Sequence, residues 1–176
     1  MKTILSKNGY LLREWRVEDA AEYVRLIQDK SNIKYLRPGT PTTKEGFLHL
    51  VNSSGPKRGF YNFAIEMDGQ IVGGNAYAEE GSSRIELRGL WIAPQYRGNK
   101  LGEKVTETLL DFVSKAYPDR IIYSQIISTN QRMINSVVEI GFVLNPEKMK
   151  IIRDSEGKFV KLLYFEVRPA GSIWVV

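Results

Sequence analysis

Leu90-Trp91-Ile92-Ala93-Pro94-Gln95-Tyr96-Arg97-Gly98-Asn99-Lys100-Leu101-Gly102 runs from an apolar segment of strand character, through a basic loop, into the start of a long amphipathic pattern. A strand-to-helix junction of this composition suits a diphosphate. The first helical turn presents N–H groups with no intrahelical acceptor and the positive end of the macrodipole. Arg97 and Lys100 add charge beside it, while Gly98 and Gly102 leave room for close approach. Beyond the loop, Leu101, Val105, Leu109, Phe112 and Ala116 recur near a 3.6-residue period, with Glu103, Lys104, Glu107, Asp111 and Lys115 on the other faces. The pattern predicts a helix from Leu101 that Pro118 stops, and a phosphate-bearing ligand at its start.

Working outward, residues 60–67, 70–78 and 84–92 read as three strands meandering into this junction, the first two joined by Asp68-Gly69, a pair suited to a two-residue hairpin. Upstream, a strand at 10–15 precedes a helix at 17–28. A second helix at 43–52 opens on Thr42-Thr43-Lys44-Glu45, a capping-box pattern in which Glu45 reaches back. Between them residues 35–41, with Pro38 and Pro41, are excluded from helix. Downstream come a strand at 120–127, a helix at 131–140 capped by Asn130 and ended by Gly141, and a hairpin turning at 154–157. The order β-α-α-β-β-β-α-β-α-β-β, with no linker or repeat, predicts one mixed α/β domain over residues 1–176. The apolar end Gly171-Ser172-Ile173-Trp174-Val175-Val176 either pads the core or marks a homodimer contact.

Composition excludes several classes of function. A single domain of 176 residues buries roughly 70% of its unfolded surface. With no cysteine there is neither a disulfide framework nor a thiolate metal site, and one histidine, His49, cannot anchor a metal alone, so no metal is expected. No signal-like or long apolar run is present, which makes a cytoplasmic protein without a membrane segment the expectation. The 25 basic and 20 acidic residues are well mixed, so the net charge of +5 suits an anionic small ligand, and no basic stripe interleaved with aromatics points to nucleic acid. The phosphate-loop signature needs Ser or Thr after Gly-Lys, and the dinucleotide fingerprint needs three glycines at its own spacing; both are missing.

Through Arg97-Gly98-Asn99-Lys100-Leu101-Gly102 and the segment from Asn130 to Gly141-Phe142, nearly the whole chain resembles the GCN5-related N-acetyltransferase (GNAT) family. The resemblance implies a central, mostly antiparallel twisted sheet flanked by helices, and acetyl-CoA as co-substrate. It implies that main-chain groups of Leu90, Trp91 and Ile92 meet the pantetheine arm and thioester. Arg97, Gly98, Asn99, Lys100, Leu101 and Gly102 would hold the diphosphate, and Asn130 would contact the pantetheine. Lys104 and Arg132, by proximity and charge, are candidates for the adenosine 3′-phosphate. The family's loop pattern of Gln or Arg, two residues, Gly, one residue, then Gly or Ala falls on Arg97, Lys100 and Gly102, so Lys100 departs from it. Read as part of a helical first turn with negative φ, Lys100 is unstrained and offers its ammonium to phosphate.

Acyl transfer from a thioester to an amine needs the amine deprotonated, the oxyanion stabilised and the thiolate released. The resemblance makes Glu86, six residues before Ile92, the general base; the plainer reading leaves it a solvated strand residue or pairs it with Arg88 or Arg84. An N–H of Ile92 or a neighbour would meet the oxyanion if the strand splays or bulges there. The Tyr that many members carry seven residues after the Asn falls on Val137, so the general acid is absent; a thiol of pKa about 8.5 leaves tolerably without it. His49 reads as a surface or half-packed residue, and Tyr35 and Tyr61 as aromatic candidates for an acceptor pocket walled by residues 35–41 and the last hairpin. The expected acceptor is a primary amine of a small molecule or a protein N-terminus. No acidic cluster suggests a polyamine trap. The rival reading is a non-catalytic acyl-CoA-binding sensor or interaction module of the same fold.

Overall fold

Asp68 and Gly69 both take positive φ, 48° and 76°, the backbone of a two-residue hairpin turn whose twist matches that of its strands. They set Met67 opposite Gln70 and so join β3 (Phe60–Met67) to β4 (Gln70–Glu80). In the computed structural model, which describes residues 3–5, 9–36, 39–154 and 156–167, this hairpin lies within a nine-stranded sheet counted among those residues. On one side β3 pairs with β2 (Tyr10–Glu14) and β2 with β1 (Thr3–Leu5), all antiparallel. On the other, β4 pairs antiparallel with β5 (Arg84–Ile92), and β5 pairs parallel with β6 (Ile121–Ile127). β9 (Phe159–Val167) continues antiparallel from β6 and carries β7 (Val143–Leu144) and β8 (Lys150–Arg153). A parallel pair requires a crossover, supplied by α4 (Leu101–Ala116).

Helices cover both faces because the strands alternate. Tyr61, Phe63 and Ile65 of β3 join Tyr77, Ile85 and Leu87 in one cluster, into which α4 buries Leu101, Val105, Leu109 and Val113. Ala64 of the same strand joins Trp15, Trp91 and Ala93 in a second cluster, closed by Tyr23, Leu26 and Ile27 of α1 (Ala20–Ile27) and Phe47 of α3 (Lys44–Asn52). Each fully buried side chain of this kind contributes about 1.5–3 kcal/mol. α5 (Gln131–Glu139) adds Val137 to the first cluster. Asn130 caps it by accepting from the Met133 N–H at 3.3 Å, and Gly141 ends it at φ 97°.

The single mixed α/β arrangement is as expected, with differences of detail. The first helix opens as a 3-10 turn, Val17–Asp19, before α1. Thr43, not Thr42, caps α3, accepting from the Gly46 N–H at 3.2 Å; the cap therefore sits one residue later and Glu45 stays exposed without reaching back. Besides two short 3-10 turns, Pro94–Tyr96 and Pro146–Lys148, the unexpected pieces are β1, β7 and α2 (Lys30–Ile33), whose N-terminus Asp29 caps through the Ser31 N–H at 2.9 Å. None exceeds four residues, too short to show a period; β1 forms by pairing with the next strand, β2, and β7 by pairing with β9 more than 20 residues on. The apolar end at 171–176 and the homodimer contact expected there lie outside the described residues, as do Arg37 and Pro38 of the 35–41 loop.

β4 crosses Trp91 so closely that side chains are excluded: a Cβ on Gly73 would collide with the Trp91 carbonyl oxygen, and one on Gly74 would lie 2.7 Å from Trp91 Nε1. Gly73→Ala is expected to cost about 2–3 kcal/mol by forcing the strands apart, read as a lower urea midpoint at unchanged m. An unchanged midpoint would show that the two strands separate freely.

Candidate active site

The ladder between β5 and β6 lasts for three pairs, Arg84 with Ile121, Ile85 with Ile122 and Glu86 with Tyr123, and then stops. On its other edge β5 stays paired to β4 but changes register: Ala76 faces Arg88 and Gly74 faces Trp91, leaving Gly89 and Leu90 opposite Asn75. Gly89 sits at φ 66°, the left-handed position a glycine bulge requires. A bulge bends its strand, and here β5 leaves β6 just before it. The gap is a cleft of about 800 Å3.

Leu87, Gly89, Leu90 and Trp91 of β5 line the cleft across from Ser124, Ile126 and Ile127 of β6, with Asn130 and Met133 at the start of α5. Its opposite end is walled by Tyr35, Leu36, Thr40 and Pro41, by His49 of α3, and by Ile152 and Arg153 of the last hairpin. The two expected acceptor walls therefore meet in one cavity. Of the expected cofactor residues, Leu90, Trp91 and Asn130 come together in it. Ile92 is buried in the core beneath, and Arg97, Gly98, Asn99, Lys100, Leu101 and Gly102 form the turn into α4 outside the lining. Lys104 on α4 and Arg132 on α5 stand in the first turns of two helices that pack together, also outside it.

The turn departs from expectation at two residues. Lys100 is the N-cap of α4 with φ 55°, not a first-turn residue with negative φ. The chain enters the helix through a left-handed residue, which explains why a glycine belongs there in the loop pattern, and lysine bears backbone strain. Its ammonium bonds Glu139 at 2.9 Å and Glu103 at 3.4 Å, contacts that push its pKa up, the Glu139 hydrogen bond foremost. The Lys100 side chain thus fastens α4 to the end of α5. Arg97 points away from the helix end: Nε donates to the Ile92 carbonyl at 2.8 Å, Nη1 to Ser31 Oγ at 2.8 Å and Nη2 to Asn32 Oδ1 at 2.6 Å. Buried Asn32 in turn donates to the Leu26 carbonyl at 3.0 Å. Arg97 therefore ties the turn to α2, which leads into Tyr35 and Leu36 of the cleft wall.

Glu86 is 4% exposed, so it is not a solvated strand residue, and it pairs with Arg88 Nη1 at 3.3 Å, one of the two partners the plainer reading named; Arg88 lines the cleft and Glu86 is outside the lining. The neighbouring Tyr123 phenol is pushed up by burial and then by the Glu86 charge. Tyr23, which lines the cleft and donates to the Pro41 carbonyl at 2.8 Å, is pushed up to about 12 by burial. Val137 is fully buried in the core. Tyr61 is not an acceptor-pocket residue: it belongs to the core on the other face of β3, stacked on Tyr77 at 4.5 Å, because alternation turns it away. His49 is exposed at the rim. Sequence reasoning passed over Ser124, a buried hydroxyl-bearing residue in the lining; its signal was a polar residue on the inward face between Ile122 and Ile126.

Among the described residues the site is an open nine-stranded sheet parted beside a helix N-terminus, and sequence similarity gives the family. The model of the acetyltransferase (GNAT) domain matches residues 10–143, and the chain belongs to that family. None of the curated protein sequences is similar enough to match. Among solved structures the fold is shared with a ribosomal L7/L12 alpha-N-protein acetyltransferase in complex with coenzyme A, at TM-score 0.81 and 13% identity over 97% of this chain and 100% of that one. It is shared too with the ribosomal-protein-S5-alanine acetyltransferase from Vibrio fischeri, at TM-score 0.78 and 16% identity over 95% and 97% of the two chains. The spermidine N-acetyltransferase from Vibrio cholerae, in complex with CoA and spermine, aligns at TM-score 0.79 and 15% identity over 93% and 98%.

Two outcomes follow from the turn. Arg97→Ala removes two charge-assisted bonds to α2, each about 1.5 kcal/mol, and should speed amide exchange at residues 30–36 about tenfold or more; Arg97→Lys, lacking the fork, should not restore it. Lys100→Gly, which relieves the left-handed backbone, should raise the thermal midpoint by about 2 °C at moderate salt, where exposed ion pairs are screened; a lower midpoint would show the Glu139 contact to outweigh the strain.

Proposed function

We propose that the protein is an acetyl-CoA-dependent N-acetyltransferase in which a primary amine, of a small molecule or a protein N-terminus, attacks the thioester directly in a ternary complex. The observation that carries this reading is the cleft between β5 and β6, which opens at the bulge and adjoins the uncapped start of α4. The residues present fit coenzyme A. No side chain caps the first turn of α4, whose first intrahelical bond runs from the Lys104 N–H to the Lys100 carbonyl at 3.0 Å, and a Cβ on Gly98 would meet nothing within 4 Å. The amides of Leu101 and Gly102 with the backbone of Gly98, Asn99 and Lys100 hold the diphosphate there. Arg97 holds the turn in shape from behind.

Leu90 and Trp91 lend main-chain groups to the pantetheine, Ile92 fixes the strand beneath them, and the Asn130 amide, while capping α5, presents its NH2 to the same arm. Beyond Glu86 β5 has no ladder partner on the β6 side, so the backbone there offers N–H groups to a developing oxyanion. The bound thioester supplies the acetyl group. Glu86 takes the amine proton through water, held in place by Arg88. Acetyl-CoA is an intracellular metabolite, so the proposal includes a cytoplasmic location; no helix among the described residues is long and apolar enough to cross a membrane.

The test follows free thiol from acetyl-CoA with a panel of amines and peptides, alongside calorimetry with CoA. Turnover on at least one amine is the expected result, and absence of CoA binding overturns the reading. Tight CoA binding without turnover would instead favour a sensor, the alternative to which the core position of Val137 and the tethered Lys100 lend support. Glu86→Gln should lower kcat about 100-fold near neutral pH, with the loss shrinking as rising pH deprotonates the amine in solution. An unchanged pH profile would remove Glu86 from the mechanism.

A further inference from the structure

The charge inventory of the cleft is one-sided. Among the described residues its lining includes Arg58, Arg88 and Arg153 together with His49, and contains no aspartate, glutamate or lysine. Arg88 is offset by Glu86 behind it and lies over the Phe60 ring at 5.4 Å. Arg58 and Arg153 have no carboxylate partner among the described residues: Arg58 stands exposed between α3 and β3, and Arg153 donates to the Gly157 carbonyl at 2.9 Å and rests over Phe159. Coenzyme A does not account for these arginines. Its anionic groups belong at the α4 turn, whose residues lie outside this lining, and the part that enters the cleft is its uncharged arm. Asn62 is in the same lining, 5% exposed, and its Nδ2 is buried without an acceptor. An unmet donor and a surplus of guanidinium groups describe a site for oxygen anions.

On the proposed transferase reading, we infer that the acceptor is an amine that also carries a carboxylate, and that Arg58 and Arg153 select it at the cleft's outer end. A polyamine would enter a cleft lined by arginines with no acidic side chain to receive its second ammonium, a repulsive arrangement. An amino-carboxylate brings its own negative charge to them while its amine reaches toward β5. The reaction balances without further reagents. The amine nitrogen forms the amide bond to the acetyl carbon, the carbon–sulfur bond breaks, the thiolate leaves with the bonding pair, and the amine proton passes to water or Glu86.

The experiment compares amino acids with their own carboxamides, with amidated peptides beginning in Asp or Glu, and with spermidine, following thiol release from acetyl-CoA. The carboxamide has the less basic amine, so unaided reactivity favours it, and a preference for the acid reports recognition. The expected result is kcat/KM at least about tenfold higher for carboxylate acceptors, equivalent to about 1.4 kcal/mol, shrinking as salt is raised. Arg58→Glu should abolish that preference by lowering kcat/KM for the carboxylate acceptors, and a preference that survives the charge reversal overturns the inference. Turnover of the acidic peptides but not of free amino acids would place the carboxylate on a polypeptide. Equal rates for acid and amide, or preference for spermidine, overturn the inference. Where no amine turns over, N-acetyl amino acids and their amides are titrated into the CoA-loaded protein. Selective binding of the acid sustains the inference though the transferase reading fails, and equal or absent binding overturns it.

Discussion

The parting of two parallel strands is the constraint on which the rest of this molecule depends. β5 and β6 share three pairs and then diverge, because β5 bulges at Gly89 opposite Asn75 while remaining laddered to β4. A sheet interior in which backbone groups are denied partners is costly unless something else meets them. Here the exposed edge faces a cavity rather than the core. The same divergence lets the 16-residue helix α4 start beside the cleft and pack along the sheet, burying Leu101, Val105, Leu109 and Val113.

Around the opening the structure is unusually tight. Trp91 stacks on Trp15 with ring centroids 6.4 Å apart, and Gly73 and Gly74 let β4 pass against its backbone and indole. The strand end that faces the cleft is thus fixed from behind by aromatic packing, on which the positions of Leu90 and Ile92 depend. Arg97 adds a second brace, joining the carbonyl that ends β5 to α2 and, through it, to the wall formed by Tyr35 and Leu36. The turn into α4 and this wall of the cleft, more than 60 residues apart in sequence, are one mechanical unit. A guanidinium can make this connection because its donors diverge in a plane toward three acceptors at once.

Much of the fold was legible because its elements carry strong periods or punctuation. Residues 60–67 and 84–92 match their strands end for end, Asp68-Gly69 makes the expected turn, and Asn130 and Gly141 bound α5 as cap and stop. Where a signal was long enough to show a period or a cap, it was read; β1, three residues long, and β7, two residues laid against the distant β9, carry too few residues for a pattern to announce them. The turn into α4 was found from its composition, but its backbone was misjudged at Lys100. A lysine ordinarily speaks for negative φ, and only the path of the chain imposes the left-handed value.

The sequence by itself determined the order and kind of the main elements, the family, and the presence of a glycine-bearing turn before a helix, all properties of neighbouring residues or of short repeats along one chain. The tertiary structure alone decided where side chains point once elements meet. It sends the Arg97 guanidinium to α2 rather than to the helix end, sets Glu86 behind Arg88, turns Tyr61 into the core, and collects Arg58, Arg88 and Arg153 from three separate segments around one cleft. Orientation and assembly depend on contacts between residues far apart in the chain, and such distances are set by packing, which no local pattern encodes.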